Sequence, residues 1–279
     1  MYALHLKNII LFENYLYIQE RSAATVEKYT HALRRFYAWL PEDKTVDKSR
    51  AIAYKAYLIE SYATASVNAE LAALNGFFKF QGWEDCRVKP LRIQRQLFVS
   101  TEKELSRQEY ERLVATAEQQ RKKKLSLLLQ LMAATGLRVS EIQYITVDAV
   151  RYGRAEISLK GKIRVILLPG KLCRKLQKYI RAEKITAGAV FLSKSGKPMD
   201  RKAIWAQMKR LCKAAEVAPE KVFPHNLRHL FARTFYKAQK DIAKLADLLG
   251  HSSVETTRIY LMTSGTEHQR VLDRLRLVC

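Results

Sequence analysis

Cysteine is scarce and unpatterned in this chain. Cys86, Cys173, Cys212 and Cys279 lie far apart in 279 residues, with no C-x-x-C among them. Neither a disulfide framework nor a zinc ribbon is predicted, which fits a reducing, cytoplasmic setting. Long apolar runs are missing as well. The longest, Leu125 to Ala134, is broken by Ser126 and Gln130 and falls short of the roughly 20 residues that span a bilayer. The opening stretch, MYALHLKNIILFENYLY, lacks a basic leader followed by a small-residue cleavage site, so a soluble protein without a membrane partner is expected. Acidic residues are also few, 27 against 50 Lys and Arg, for a formal net charge of +23. Such a surplus points to a polyanion partner, of which nucleic acid is the usual one.

What is present is globular. Hydrophobic residues make up 48% and aromatics 10%, enough for two modest domains, each with its own core. Residues 1–85 read as helical. Val26, Tyr29, Leu33, Phe36, Tyr37 and Leu40 recur at helical spacing after Ser22 and stop before Pro41. A second helix is predicted over about 49–62 and a third after Ser66, with Leu71, Leu74, Phe77 and Phe78 on one side; these stripes are assigned to a core. Residues 86–103 lose periodicity and carry Arg87, Lys89, Arg92 and Arg95. They are predicted to form a basic inter-domain linker near a phosphate backbone.

A second domain, 104–279, opens with a capping box at Ser106 and Glu109. A buried helix over Leu125–Thr135 stops at Gly136, and Arg138 follows with Glu141 one turn on. Ala155 to Leu168 alternates around Lys160-Gly161-Lys162, predicting a β-hairpin with lysines at its turn. The helix after Pro169-Gly170 places Lys171, Arg174, Lys175, Lys178 and Arg181 on one face. From Lys160 to Lys184 nine Lys and Arg face one acid, Glu183. A face so nearly pure in one sign repels itself unless a polyanion covers it. The fold class is therefore mainly α with a small antiparallel β-sheet.

The chemistry concentrates near the C-terminus. His225 and Arg228 share a helical face, His251 follows a glycine stop, and Tyr260 ends a short helical pattern. Guanidinium groups grip phosphate oxygens and stabilise charge built on them during in-line attack, and a tyrosine can serve as covalent nucleophile. An ordinary phenol, with a pKa of about 10, is a weak nucleophile at neutral pH and needs cations or a base beside it.

His225-x-x-Arg228, Leu249-Gly250-His251 and Tyr260, together with ATGLRVSEI around Arg138, resemble the tyrosine recombinase (phage integrase) family, in its Xer-like form without an arm-binding domain. Tyr260 lies nine residues after His251, with Thr257 in the family's threonine slot. The resemblance implies a SAM-like core-binding domain and a catalytic domain clamped on double-stranded DNA, and a site-specific recombinase that needs no metal, ATP or small-molecule substrate. It assigns Tyr260 as the nucleophile forming a 3′-phosphotyrosyl link, and Arg138 and Arg228 as the phosphate-binding arginines. Glu141 holds Arg138, His225 accepts a proton or positions the phosphate, and His251 donates to the scissile phosphate. Lys160 ranks first as the acid that protonates the leaving oxygen, and Lys162 stays as its competitor because this turn is shorter than in many relatives. Arg164 joins Lys162, Lys171, Arg174 and Lys175 as expected DNA contacts. Family members work as homo-tetramers joined by C-terminal segments, a part that Glu267 to Val278 fits by its helical pattern, with packing on its own domain as the equal alternative.

Two rivals remain at this stage. His225 and His229 have the i, i+4 spacing of zinc ligands, with His251 as a third. However, Asn226 stands where that chemistry needs glutamate, and zinc gives no part to Arg138 or Tyr260. The other rival is a DNA-binding protein of the same fold without catalysis, for which a nucleophile has no purpose.

Overall fold

The computed structural model describes residues 1–92, 103–159, 162–193, 195–251 and 253–261. The chain divides into two compact units, Met1–Arg95 and Gln96–Cys279. No helix among the described residues is long and apolar enough to cross a membrane.

The first unit is a bundle of α1 (Leu6–Ile18), α2 (Ala23–Trp39), α3 (Lys48–Ser61) and α4 (Thr64–Gln81). The Ser22 hydroxyl accepts from the Thr25 amide to start α2, and the Asp47 carboxylate accepts from the Arg50 amide to start α3. Phe12, Leu33, Phe36, Tyr54, Leu58, Leu71, Phe77 and Phe78 fill the core. Two minimal strands, β1 (Tyr2–Ala3) and β2 (Thr45–Val46), pair antiparallel and tie the N-terminus to the α2–α3 connection; the sequence predicted only helix there.

The predicted linker over 86–103 starts too early. Cys86 and Val88 are buried in the first unit. Asn75 holds both the amide and the carbonyl of Val88, and Asn68 does the same for Leu91, at 2.8–2.9 Å. Residues 87–91 are therefore a docked extended segment in which asparagine amides, in place of a strand partner, satisfy the backbone groups of Val88 and Leu91.

The second unit is built around α6 (Lys123–Thr135), which buries Leu125, Leu127, Leu128, Leu129, Leu131 and Met132. Against it pack α5 (Arg107–Gln119), started by the Ser106–Glu109 capping box, and α8 (Gly170–Ala182). Between them come a 3-10 turn (Val139–Tyr144), α7 (Val147–Tyr152) and the antiparallel hairpin β3 (Arg154–Leu159) and β4 (Lys162–Leu167), in the register Ile157↔Arg164. After α8 comes the isolated bridge Leu192↔Pro198. The chain then runs through α9 (Arg201–Cys212), α10 (Pro224–Gln239), α11 (Ile242–Leu249) and α12 (Val254–Arg258), ending on a turn at Ile259–Leu261. α10 lies on α6, so the face carrying His225 and Arg228 meets the C-terminal end of the central helix.

Candidate active site

Three helix ends converge on Arg228. Pro224 occupies the first turn of α10, where its missing amide leaves no bond unmade. His225, Arg228 and His229 then fall at i, i+3 and i+4, on one face. Gly136 ends α6 and Gly250 ends α11, each in the left-handed conformation with φ of +61° and +63°. A Cβ at Gly136 would lie 2.4 Å from the Phe231 ring and 2.9 Å from Leu249, so both backbone angle and packing require glycine.

Arg228 is 2% exposed. Its Nη1 donates to the Gly136 carbonyl at 2.6 Å, and its Nη2 to the Leu249 carbonyl at 2.8 Å and to His251 Nε2 at 2.8 Å. Those carbonyls sit at the C-terminal ends of α6 and α11, where unpaired C=O groups carry partial negative charge, and that is what tolerates a buried guanidinium. Burial still pushes its pKa down, partly opposed by Tyr260.

Nε of the same guanidinium donates to the Tyr260 hydroxyl at 3.4 Å. Tyr260 is 6% exposed, and its ring is enclosed by imidazoles. His251 stacks on it at 5.6 Å between centroids with 11° between planes, His229 meets it edge-on at 4.4 Å, and His225 lies at 5.7 Å. Arginine has no acceptor, so His251 Nε2 must accept from Arg228. The proton of His251 is then on Nδ1, donated to Thr257 Oγ1 at 2.7 Å. Burial first, then Arg228, hold His251 at a pKa of about 4. His229 is brought to about 4 by burial and His225, and His225 is lowered by burial, Arg228 and Arg201. The site therefore presents neutral imidazoles among fixed cations.

Arg138 is the exposed member of the group. It donates from Nη1 to Glu141 at 2.9 Å and from Nη2 to the Gly250 carbonyl at 3.3 Å, with 43% of its side chain open. Arg138, Glu141, Arg228, His251 and Tyr260 thus form one connected set, with His225 against its edge. Lys160 lies outside the described residues, and Lys162 opens β4 opposite Leu159.

Arg164 departs from its expected place among DNA contacts. Its side chain, 12% exposed, turns inward because the Glu141 carboxylate accepts from it at 2.9 Å. Lys171, Arg174 and Lys175 do lie on the exposed face of α8, with Lys175 donating to Gln130 at 2.7 Å. In the docked segment, Arg87 pairs with Glu84 at 2.6 Å, Lys89 and Arg92 are exposed, and Arg95 lies outside the described residues. Sequence reasoning missed the Gly136 and Leu249 carbonyls, which no side-chain pattern records, and gave Thr257 a slot but no partner.

The family model for the phage integrase family matches residues 103–266, and the one for its N-terminal SAM-like domain matches residues 9–85. The chain belongs to the phage integrase family. Tyrosine recombinase XerA of Thermococcus kodakarensis is 30% identical over 277 residues, covering 96% of this chain and 94% of its own. Among solved structures, XerA recombinase aligns with a TM-score of 0.55 at 21% identity, over 98% of this chain and 99% of its own. A lambda integrase dimer bound to a core site aligns with a TM-score of 0.74 at 19% identity, over 93% and 95%. As a phage integrase family member with this relative, the chain is a tyrosine-type recombinase, an enzyme of site-specific DNA recombination. Its two-part fold, a SAM-like helical domain followed by an integrase catalytic domain, is the fold of that family.

Proposed function

We propose that Tyr260 is the nucleophile of this recombinase. Its hydroxyl oxygen attacks a phosphorus of double-stranded DNA, the bond from phosphorus to the 5′ oxygen breaks, and a 3′-phosphotyrosyl diester forms. His225 accepts the phenol proton, and Lys160, or else Lys162, supplies one to the departing 5′ oxygen. Arg138 and Arg228 stabilise the charge that grows on the non-bridging oxygens, which fixed donors in a water-poor site do at little reorganisation cost. When DNA enters, His251 changes tautomer: Thr257 donates its hydroxyl to Nδ1, and Nε2, freed from Arg228 and now carrying the proton, donates to the phosphate. One diester replaces another, so the cleavage energy stays in the link and rejoining needs no ATP.

The observation that carries this reading is the 3.4 Å approach of Arg228 Nε to the Tyr260 hydroxyl inside a ring of histidines. Hydrolysis by a zinc centre gives that contact no purpose, and a binding protein has no need of it. Lys171, Arg174 and Lys175 on α8, with Lys89 and Arg92 on the first unit, are proposed to meet the DNA backbone. Four copies on two sites, acting in the cytoplasm, are the proposed assembly. Their joining segment, Glu267 to Val278, lies outside the described residues.

The test is to recover and sequence DNA attached covalently to the protein in its native host, then to rebuild the mapped site as a nicked duplex. A phosphotyrosyl adduct at one position of that duplex is the expected result. Specific binding with no adduct would favour the non-catalytic reading.

A further inference from the structure

Glu141 is 2% exposed and serves two arginines. Its Oε1 accepts from Arg138 Nη1 at 2.9 Å, and its Oε2 from the Arg138 backbone amide at 2.7 Å. Arg164 Nη1 lies 2.9 Å from each of those oxygens. The other arm of Arg164 donates from Nη2 to the Leu248 carbonyl at 2.7 Å, in the last turn of α11. Its aliphatic stem crosses Gly250 so closely that a Cβ there would lie 2.5 Å from Cδ and 2.7 Å from Nε. Gly250 is also the residue whose carbonyl receives Arg138 Nη2, and it immediately precedes His251. Arg164 thus touches both supports of Arg138, the carboxylate and the glycine turn.

Charge explains why a second guanidinium is needed. A carboxylate alone with Arg138 makes a neutral pair that offers little field to a phosphate. Two arginines on one carboxylate leave a formal surplus of one positive charge, and Arg138 is the member open to solvent. The side-chain direction serves this end, since Arg164 shares the inward face of β4 with Ile166 and lies opposite buried Ile157 of β3.

We propose that Arg164 is a positioning residue for DNA cleavage, and that it contacts no DNA itself. It sets Glu141 and the 248–250 turn in one fixed relation, so that Arg138 and His251 reach the scissile phosphate together. It also belongs to the strand that leaves the lysine-bearing turn, and so couples that hairpin to the arginine–histidine pair. The proposal rests on the cleavage reading above and assigns it a residue outside the family's phosphate-binding set.

The experiment measures single-turnover adduct formation on the mapped nicked duplex at saturating protein, with DNA affinity measured separately across salt. Two versions of the duplex are compared, one with the ordinary scissile phosphate and one with a methylphosphonate, which lacks one of the charged oxygens. Arg164→Ala is expected to slow cleavage of the phosphate by about 30-fold, the scale of losing a group that orients a catalytic one. Affinity stays within about threefold with an unchanged salt slope. On the methylphosphonate the deficit shrinks, as it does for Arg138→Ala, because there is less charge to stabilise. Arg164→Lys, which keeps the cation on Glu141 but cannot also reach Leu248, recovers part of the rate. If Arg164→Ala does not fold, Arg164→Lys and Arg164→Gln carry the same comparison. A salt slope reduced by about one would make Arg164 a phosphate contact and overturn the proposal. So would equal deficits on both duplexes, or a lysine variant no better than alanine. Wild-type protein that forms an adduct while these variants behave as wild type overturns this proposal alone. Wild-type protein that forms none overturns the cleavage reading and this proposal with it.

Discussion

Arg228 and Tyr260 meet inside the protein before any DNA is present, with Nε 3.4 Å from the hydroxyl and both residues over nine-tenths buried. The cation that would steady a pentacoordinate phosphate is held by the ends of α6 and α11, and it donates in turn to the oxygen that would attack. Arg228 spends Nη1 and Nη2 on Gly136, Leu249 and His251, and that fork needs a planar group with donors in several directions. Arg228→Lys should therefore lower the single-turnover cleavage rate by about 10²–10³-fold while DNA binding persists. A lysine variant that cleaves at the wild-type rate would mean that the fork has no part in the reaction.

Gly136 is where packing and catalysis share one atom group. Gly136→Ala forces a side chain into the left-handed region and against Phe231, at an expected cost of about 2–4 kcal/mol. For a unit of this size that corresponds to a fall in melting temperature on the order of 5–15 °C. Thermal melts followed by circular dichroism check it.

Acid should weaken the fold through the histidines. His229 and His251 each have a folded pKa lowered to about 4, and burial is the first cause in both. In the unfolded chain each takes a proton near pH 6.5. Between those values the unfolded state binds more protons, so the contribution is fully present above about pH 6.5 and is lost as pH falls towards about 4. Urea midpoints measured from pH 7 down to pH 4.5 should decline steadily. His251→Asn and His229→Asn should each flatten the slope.

The hairpin lysines are separated by chemistry. A 5′ oxygen leaves with a proton, whereas a sulfur in its place leaves without one. Lys160→Ala should slow cleavage of the ordinary duplex by about 10²-fold or more and regain most of the rate on the sulfur-substituted one. Rescue confined to Lys162→Ala would give the role to Lys162.

Much of this was legible in the sequence because it depends on local signals. The Ser106–Glu109 box, the glycine stops at 136 and 250 and the pairing of His225 with Arg228 on one face need only spacing to be seen. What escaped depends on contacts across the chain. The acceptors of Arg228 are carbonyls that exist as a site only where α6 and α11 end side by side. In β4, Val165 and Leu167 alternate as a core stripe would, yet they are 45% and 63% exposed, and the opposite parity with Arg164 and Ile166 turns inward. Both parities of β4 carry apolar residues, so strand alternation alone does not choose between them, and the side that turns inward places Ile166 in the core and Arg164 on Glu141. The docked segment 87–91 escaped for the same reason, since Asn68 and Asn75 stand for a strand that is not there.

The central claim, that the Tyr260 oxygen carries the DNA strand end, is tested most directly by comparing wild type with Tyr260→Phe on the nicked duplex, followed by mass spectrometry of the adduct. The account predicts equal DNA affinity, a wild-type adduct on the peptide containing Tyr260, and no adduct for the variant. A Phe variant that still links covalently to DNA, or a wild-type adduct on any other residue, would contradict it.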